Sequence, residues 1–354
     1  MHRLLSYLFG GTGAGEKDSH FGLLADICRL REGDPVLFYL ERVGFFGVFR
    51  VAGRPFKDDG TPTYLEDELG KKLIYRVMIA PDKVYPRCVS EWEALDKLPE
   101  YAIDVIWSLI YRKLKGNRGC TPVTDDEFER LRQLLESAQD ENCSLAPGAS
   151  LTYSPSERRI VNASGVFTYD GVTSETEDVL GQMLCLDEAE YAYEVQLQAF
   201  LMQNIGRLSD LQELAGGAGR LVWIANEVSC GVGMQKIDVF TITEDAAGGR
   251  LHSLIELKCV PVSPGIASQL ERYTLWARSF IRGVTASNVQ PVVVSRKVKR
   301  RNPWQKPRKA ERDRDSAIEE LGTLNRRNLA LRPRLFEFDF RDDRIVFEES
   351  MYDP

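Results

Sequence analysis

Short alternating runs of apolar and polar residues dominate the first 138 positions. Residues 36–40, 45–52 and 73–80 each predict a strand, and glycines and charged residues divide them. Apolar residues at three- and four-residue spacing predict a helix over 103–114. Thr124-Asp-Asp-Glu127 has the form of a capping box that opens a second helix. The pattern over 1–138 predicts a small α+β domain built on a curved sheet.

A different pattern begins at Asp187. It predicts an αβββαβ order followed by two further strands, which is typical of an α/β domain over 187–354. The predicted helices cover 187–204 and 266–280, and the predicted strands cover 221–230, 236–243, 254–260, 289–295, 335–340 and 344–348. The strand at 289–295 is apolar throughout and should be fully buried.

Residues 139–186, between these two patterns, are rich in Ser, Thr, Gly, Asp and Glu. We expect a linker there, in which the apolar patches 151–153 and 166–169 could form a hairpin. A chain of 354 residues exceeds the size at which one core usually keeps growing, so two domains are expected.

Composition narrows the class of protein. No run of about 18 apolar residues and no signal peptide is visible, so we expect a cytoplasmic protein without a membrane partner. The seven cysteines are scattered and form no CxxC pair, which argues against a zinc site and a disulfide framework. The formal charge is −7, yet residues 296–314 contain ten Lys or Arg in nineteen positions. This basic segment could contact nucleic acid.

Candidate catalytic chemistry lies on two of the predicted strands. Asp238 is in the strand 236–243, and Glu256-Leu-Lys258 follows eighteen positions later. Because side chains alternate along a strand, Glu256 and Lys258 point to one face. Such charges on a buried strand cost several kcal/mol unless they are paired or bind a metal. Asp238 and Glu256 suit Mg²⁺ or Mn²⁺, with Lys258 beside an attacking water, which predicts phosphodiester hydrolysis.

These residues, together with Gln269 and Tyr273 on the next predicted helix, resemble the carboxy-terminal domain of archaeal NucS/EndoMS endonucleases and, more widely, the PD-(D/E)XK nucleases. The resemblance covers about residues 187–295 and implies a restriction-endonuclease-like α/β fold. It also implies that a glutamate on the preceding helix joins the site, for which Glu194 is the best match. Gln269 and Tyr273 are one helical turn apart, so both could reach the active site.

The amino-terminal segment is similar to EVE domains of the PUA/YTH-like superfamily. The similarity is carried by Gly33-Asp-Pro-Val-Leu-Phe-Tyr39, Gly44-Phe-Phe-Gly-Val-Phe-Arg50 and Arg54-Pro-Phe-Lys-Asp58. It implies a curved-sheet module that binds nucleic acid, often a modified base in an aromatic-lined pocket. Candidate stacking residues and a candidate basic turn are Trp92, Trp107, Arg112, Lys113, Lys115 and Arg118. Core packing of the aromatics and a solvated helix end are the alternatives.

The sequence thus predicts a metal-dependent DNA endonuclease whose substrate is selected by the EVE/PUA-like domain, as in modification-dependent restriction. In the basic segment the candidate DNA contacts are Arg300, Arg301, Trp304, Lys306 and Arg308, with a solvated loop as the alternative. Two further functions stay open: a structure- or mismatch-specific repair nuclease acting on branched DNA, and a non-catalytic nucleic-acid-binding protein. Cutting two opposite strands would need two active sites, which makes a homodimer an expectation.

Overall fold

The protein has a mixed α/β structure in two compact units, Met1–Glu177 and Asp178–Pro354. The computed structural model describes residues 2–13, 18–40, 43–60, 63–70, 72–101, 120–139, 145, 150–188, 193–230, 235–298 and 308–352.

The first unit combines short helices with an antiparallel sheet. Its helices are α1 (His2–Tyr7), α2 (Asp18–Cys28), α3 (Glu66–Leu69), α4 (Glu91–Tyr101) and α5 (Asp125–Ser137). Its strands are β1 (Phe9–Thr12), β2 (Pro35–Leu40), β3 (Gly44–Val51), β4 (Phe56–Lys57), β5 (Tyr75–Val89), β6 (Leu151–Ser154) and β7 (Arg159–Asn162).

The sheet of the first unit is organised around the long strand β5. The strand order is β2-β3-β5-β7-β6, and β1 and β4 also pair with β5. Phe45, Phe46 and Phe49 of β3 are buried, so these aromatics pack in the core. The three predicted strands are confirmed, although β5 continues to Val89. The predicted capping box is also confirmed, since Thr124 and Glu127 cap each other at the start of α5. The predicted helix 103–114 lies outside the described residues.

The segment 139–186 contains a hairpin, but its second strand is not the predicted one. β6 pairs with β7 rather than with residues 166–169, which are irregular. Arg158 takes the left-handed conformation, φ 52°, and closes the turn directly after β6. The hairpin joins the sheet through Arg87 and Arg159, and the second unit begins at Asp178. Residues 151–162 are therefore part of the first unit's sheet rather than of a linker.

The second unit is a mixed six-stranded sheet with helices. Its helices are α6 (Val179–Glu188), α7 (Glu194–Asn204), a 3₁₀ turn (Ser209–Leu211), α8 (Gln212–Ala215), α9 (Ile266–Phe280) and α10 (Lys309–Asn328). Its strands are β8 (Arg220–Ser229), β9 (Lys236–Glu244), β10 (Arg250–Lys258), β11 (Val289–Arg296), β12 (Arg334–Arg341) and β13 (Arg344–Glu349).

The order of this sheet is β13-β12-β11-β10-β9-β8. The pairs β10–β11 and β11–β12 are parallel, and the other pairs are antiparallel. All the strands predicted in this half are confirmed within a few residues. The core that supports the site includes Phe240, Leu254, Leu270, Val293 and Leu335. This core fixes the strands and helix that carry the candidate site residues.

One helix prediction was wrong, and one helix was not predicted. The single helix predicted over 187–204 is two helices, because Tyr193 precedes α7 with φ −143°. The Tyr193 hydroxyl donates to Asp187 Oδ1 and accepts from the Arg296 guanidinium, contacts that fix the residue outside the helix. α10 was not predicted at all, since its buried Ala317 and Leu321 are scattered among charged residues.

The sequence predicted neither a membrane-spanning helix nor a disulfide framework. Within the part of the chain that the structure describes, each helix is too short or too polar to cross a membrane. The six described cysteines form no disulfide bond; Cys143 lies outside the described residues.

Candidate active site

The candidate catalytic residues meet where β9 and β10 separate. Pairing of these strands runs from Arg250↔Glu244 to Ile255↔Val239, and Asp238 and Glu256 occupy the next two positions. Beyond this point Asp238 Oδ2 accepts a hydrogen bond from the Leu257 backbone N–H at 2.8 Å. The Asp238 carboxylate thus satisfies the Leu257 N–H, which has no partner in the β9–β10 pairing. The end of the strand pairing therefore places two carboxylates side by side.

Glu256 is held by three donors. Its side chain is only 3% exposed. Oε1 accepts from Lys258 Nζ at 2.5 Å and from Gln269 Nε2 at 2.7 Å, and Oε2 accepts from the Tyr273 hydroxyl at 2.9 Å. Gln269 Nε2 is also 2.7 Å from the Tyr273 hydroxyl. Gln269 and Tyr273 lie one turn apart on α9, as their spacing predicted. The helix therefore orients both oxygens of the buried carboxylate.

Helix α7 holds Asp238 from the side of the main chain. Gln198 Nε2 donates to the Asp238 carbonyl at 3.0 Å, and Gln198 Oε1 accepts from Asn226 Nδ2 at 3.4 Å. Both amide side chains are buried. A buried polar group without a partner would cost about 1–3 kcal/mol, so this chain of amides favours one position of the Asp238 backbone. Gln198 and Asn226 were not predicted, because their role depends on contacts between residues far apart in sequence.

Lys258 connects the carboxylates with Glu194 at the start of α7. Its ammonium donates to Glu256 Oε1 and to the Leu257 carbonyl, the latter at 2.9 Å, and lies 3.8 Å from Glu194 Oε2. The residue predicted from the resemblance, Glu194, is thus adjacent to Lys258. The structure brings together all six predicted residues, which are Glu194, Asp238, Glu256, Lys258, Gln269 and Tyr273.

Burial and like charge disturb the protonation of the site. Burial, and then the charge of Glu256, raise the pKa of Asp238 from 3.8 to about 8. Burial also raises the pKa of Glu194, and Glu256 and Glu227 add to this shift. For Lys258, burial lowers the pKa, but its hydrogen bond with Glu256 and the neighbouring carboxylates outweigh burial, and the pKa is raised. The site therefore has an excess of negative charge that a cation would relieve.

Asp238 and Glu256 supply two of the ligands that a hard divalent cation needs. Asp238 and Glu256 supply carboxylate oxygens, the ligands that Mg²⁺ prefers, and Mg²⁺ usually keeps several waters beside one or two carboxylates. Asp238 Oδ1 has no hydrogen-bond partner among the described residues, whereas Oδ2 is used by Leu257. In the described ranges no group of three or more His, Cys, Asp or Glu side chains could hold a metal ion. Asp238 and Glu256 thus suit a cation that water or a substrate oxygen also ligates.

A fourth carboxylate and a second ammonium, which were not predicted, occupy strand positions next to that of Asp238. β8 pairs with β9 at Asn226↔Val239 and at Val228↔Ile237, so Glu227 is at the position opposite Asp238. Glu227 has φ 52°, and its Oε2 forms an ion pair with Lys236 Nζ. Strand alternation could have indicated Lys236, which is two residues before Asp238. Nothing in the pattern indicates Glu227, because its direction depends on a left-handed backbone.

The residues predicted to contact nucleic acid are only partly described. Trp92, on α4, has 67% of its surface exposed, so it is not a core residue. Arg308 is exposed and precedes α10. The others lie outside the described residues, namely Trp107, Arg112, Lys113, Lys115, Arg118, Arg300, Arg301, Trp304 and Lys306.

Ion pairs neutralise both ends of the basic segment 296–314. Arg296 pairs with Asp187 and Asp339, at 3.0 and 3.3 Å. Arg314 forms two 2.7 Å hydrogen bonds with Glu337. The guanidinium groups at the two ends of the segment are therefore paired with carboxylates of the second unit.

Comparison of the chain with protein-family models, with curated proteins and with solved structures found no match.

Proposed function

We propose that the protein is a metal-dependent endonuclease that hydrolyses phosphodiester bonds of DNA. The observation that carries the proposal is the convergence of Asp238, Glu256 and Lys258 at the point where β9 and β10 separate. Two adjacent carboxylates with one ammonium and a surplus of negative charge suit a cation-assisted attack on a phosphate. We also propose that the second unit has a restriction-endonuclease-like fold of the PD-(D/E)XK type.

Asp238 and Glu256 would hold Mg²⁺ or Mn²⁺. Such an ion supplies positive charge that offsets the charge developing on the phosphate and makes a bound water more acidic. The pKa of Asp238, raised to about 8, supports this assignment, because a nearby divalent charge would favour the ionised carboxylate at neutral pH.

Lys258 acts as a hydrogen-bond donor in this proposal. Its raised pKa keeps the side chain as an ammonium at neutral pH, so it orients the attacking water or a phosphate oxygen rather than removing a proton. Tyr273 and Gln269 act through Glu256, since their donors fix both of its oxygens. Glu194 has a raised pKa and lies 3.8 Å from Lys258, and we assign it the role of proton acceptor because Glu256 is already held by three donors.

The first unit would select the substrate. We propose that it is a PUA/EVE-like module, and its antiparallel sheet with β5 at the centre is compatible with that relationship. The exposed Trp92 supports a stacking role, since a base needs an accessible aromatic face. A reader of altered bases joined to this nuclease would make a modification-dependent restriction enzyme.

The experiment is a cleavage panel with Mg²⁺, Mn²⁺ or EDTA. Plasmids with and without modified bases, flaps, mismatches and RNA are each incubated with the wild-type protein, Asp238→Asn and Lys258→Met. We expect cleavage only with the metals, and a loss of at least about a hundredfold in both variants, because each removes a group required in the chemical step. Asp210→Asn, which changes an exposed carboxylate of the same unit, serves as the control. Wild-type activity in either site variant refutes the assignment.

A further inference from the structure

The main chain of Lys236 is fixed beside the acidic site. It lies on β9 two residues before Asp238, so the two side chains leave the same face of the strand. The Tyr273 hydroxyl lies 2.7 Å from the Lys236 carbonyl and 2.9 Å from Glu256 Oε2. One tyrosine therefore contacts both the main chain of Lys236 and the buried carboxylate. The flexible stem of Lys236 starts from a fixed point next to the site.

The counter-ion of Lys236 is Glu227, on the neighbouring strand. Their ion pair is partly exposed, and pairs of this kind contribute only about 0–1 kcal/mol. Glu227 has a left-handed backbone, which is uncommon for a residue other than glycine and which tends to occur at functional sites. Its charge also contributes to the raised pKa of Glu194. Glu227 therefore combines a weak hold on Lys236 with a position close to the catalytic residues.

The charge balance indicates what Lys236 could do. Carboxylates outnumber ammonium groups here, since Glu194, Glu227, Asp238 and Glu256 stand against Lys236 and Lys258, and a negative surplus remains even where Asp238 is protonated. A nucleic-acid strand carries one negative charge per phosphate and would be repelled by this surplus. Lys258 is already committed to Glu256, but Lys236 is held by a pair weak enough to exchange.

We propose that Lys236 binds a backbone phosphate of the strand being cut, next to the phosphate held at the catalytic site, and that Glu227 occupies its ammonium until that phosphate replaces it. The inference rests on the proposed function and extends it to substrate binding. It makes two predictions of opposite sign. Removing Lys236 weakens nucleic-acid binding, whereas neutralising Glu227 strengthens it.

Binding is measured by fluorescence anisotropy of a labelled DNA duplex, and of one of its strands, in EDTA over a series of salt concentrations. For Lys236→Gln we expect affinity about tenfold lower, because a hydrogen bond between charged groups is lost. The slope of log K against log salt should also become less steep, by about 0.9 for the duplex and about 0.7 for the single strand. Glu227→Gln should bind severalfold more tightly, and Lys236→Arg should bind like the wild type.

An ion pair at the other end of β9 provides the control: Glu244 of β9 pairs with Arg250 of β10 and also with Arg220 of β8. Arg250 and Glu244 are 3.2 Å apart, and their side chains are 44% and 26% exposed, against 39% and 27% for Lys236 and Glu227. Arg250→Gln and Glu244→Gln should each change the affinity by less than about twofold, as expected for an exposed charge away from the bound strand.

Two outcomes would overturn the inference directly. If Lys236→Gln binds no worse than Arg250→Gln, Lys236 does not contact a phosphate. If Glu227→Gln abolishes cleavage while binding is unchanged, Glu227 belongs to the catalytic machinery instead. If Lys236→Gln fails to fold, the test rests on Glu227→Gln, which must bind DNA more tightly than the wild type for the inference to stand. A wild-type protein that binds DNA but does not cut it with Mn²⁺ refutes the proposed function and leaves this test standing; one that does not bind DNA refutes both.

Discussion

Replacing Asp238 by asparagine should stabilise the metal-free protein at high pH while it abolishes cleavage. In the folded protein the pKa of Asp238 is raised from 3.8 to about 8, by burial first and by the charge of Glu256 second. The folded state therefore binds this proton more tightly than the unfolded chain does. The stabilising contribution is complete below pH 4 and is lost progressively as the pH rises to about 8. Asparagine has no charge to bury, so the variant does not share this loss.

The size of the effect follows from the shift. One pKa unit corresponds to about 1.4 kcal/mol, so a shift of about four units sets an upper limit of about 6 kcal/mol. Partial access of water to Asp238 and relaxation of the strands reduce this, and we expect a difference on the order of 2–4 kcal/mol above pH 8. Below pH 4 the variant should differ little, because an amide oxygen can still accept the Leu257 N–H.

The assay is urea unfolding of both proteins in EDTA at pH 5, 7 and 9, repeated with Mn²⁺. Amide hydrogen exchange of β9 and β10 identifies the transition of the second unit, since a two-unit chain need not unfold in one step. The advantage of Asp238→Asn should grow with pH in EDTA and reverse in Mn²⁺, which stabilises only a protein that binds it. Asp210→Asn should show neither trend. An Asp238→Asn effect that is the same at pH 5 and pH 9 would refute the electrostatic reasoning.

Two further predictions concern the hydrogen bond that holds the main chain of Asp238 and the independence of the second unit. Gln198→Leu should raise the Mn²⁺ concentration needed for half-maximal cleavage and lower kcat several-fold at unchanged KM for DNA, because Asp238 loses its main-chain anchor. Gln196→Leu changes an equally buried glutamine of the same helix, and it should leave both the Mn²⁺ requirement and kcat close to wild type. The fragment Asp178–Pro354 should fold cooperatively, since it contains a complete sheet and core, and should cut DNA without preference among substrates. A fragment that retains full discrimination would remove the selecting role from the first unit.

The central residues could be predicted from the sequence because their arrangement is local. Alternation along one strand puts Glu256 and Lys258 on one face, and helical spacing puts Gln269 and Tyr273 on one side of α9. Asp238 followed from its place in an apolar strand that forms a hairpin with the next one. Each of these relations needs only the period of a regular element and a short connection.

The missed features have a different origin. Gln198 matters through its hydrogen bond to Asp238, forty positions away, and no local period encodes that contact. Glu227 reaches Lys236 from a left-handed residue that interrupts a strand. α10 was hidden because few of its residues are apolar, and its Arg314 is committed to Glu337. Composition likewise could not show that Arg296 and Arg314, at the two ends of the basic segment, are paired with carboxylates, and the DNA contacts predicted between them stay a prediction.

The end of the β9–β10 ladder explains why stability and the proposed chemistry would compete at Asp238. Where strand pairing stops, the Leu257 N–H needs an acceptor, and the Asp238 carboxylate provides it. The same carboxylate then stands beside Glu256, where two negative charges oppose each other in a partly buried place. Without a cation, Asp238 is either protonated or ionised at a cost in stability. A bound cation would stabilise the ionised carboxylate and remove that cost. Asp238→Ala would remove both the charge and the acceptor, so only asparagine separates the structural role of Asp238 from the role in the chemistry that we propose for it.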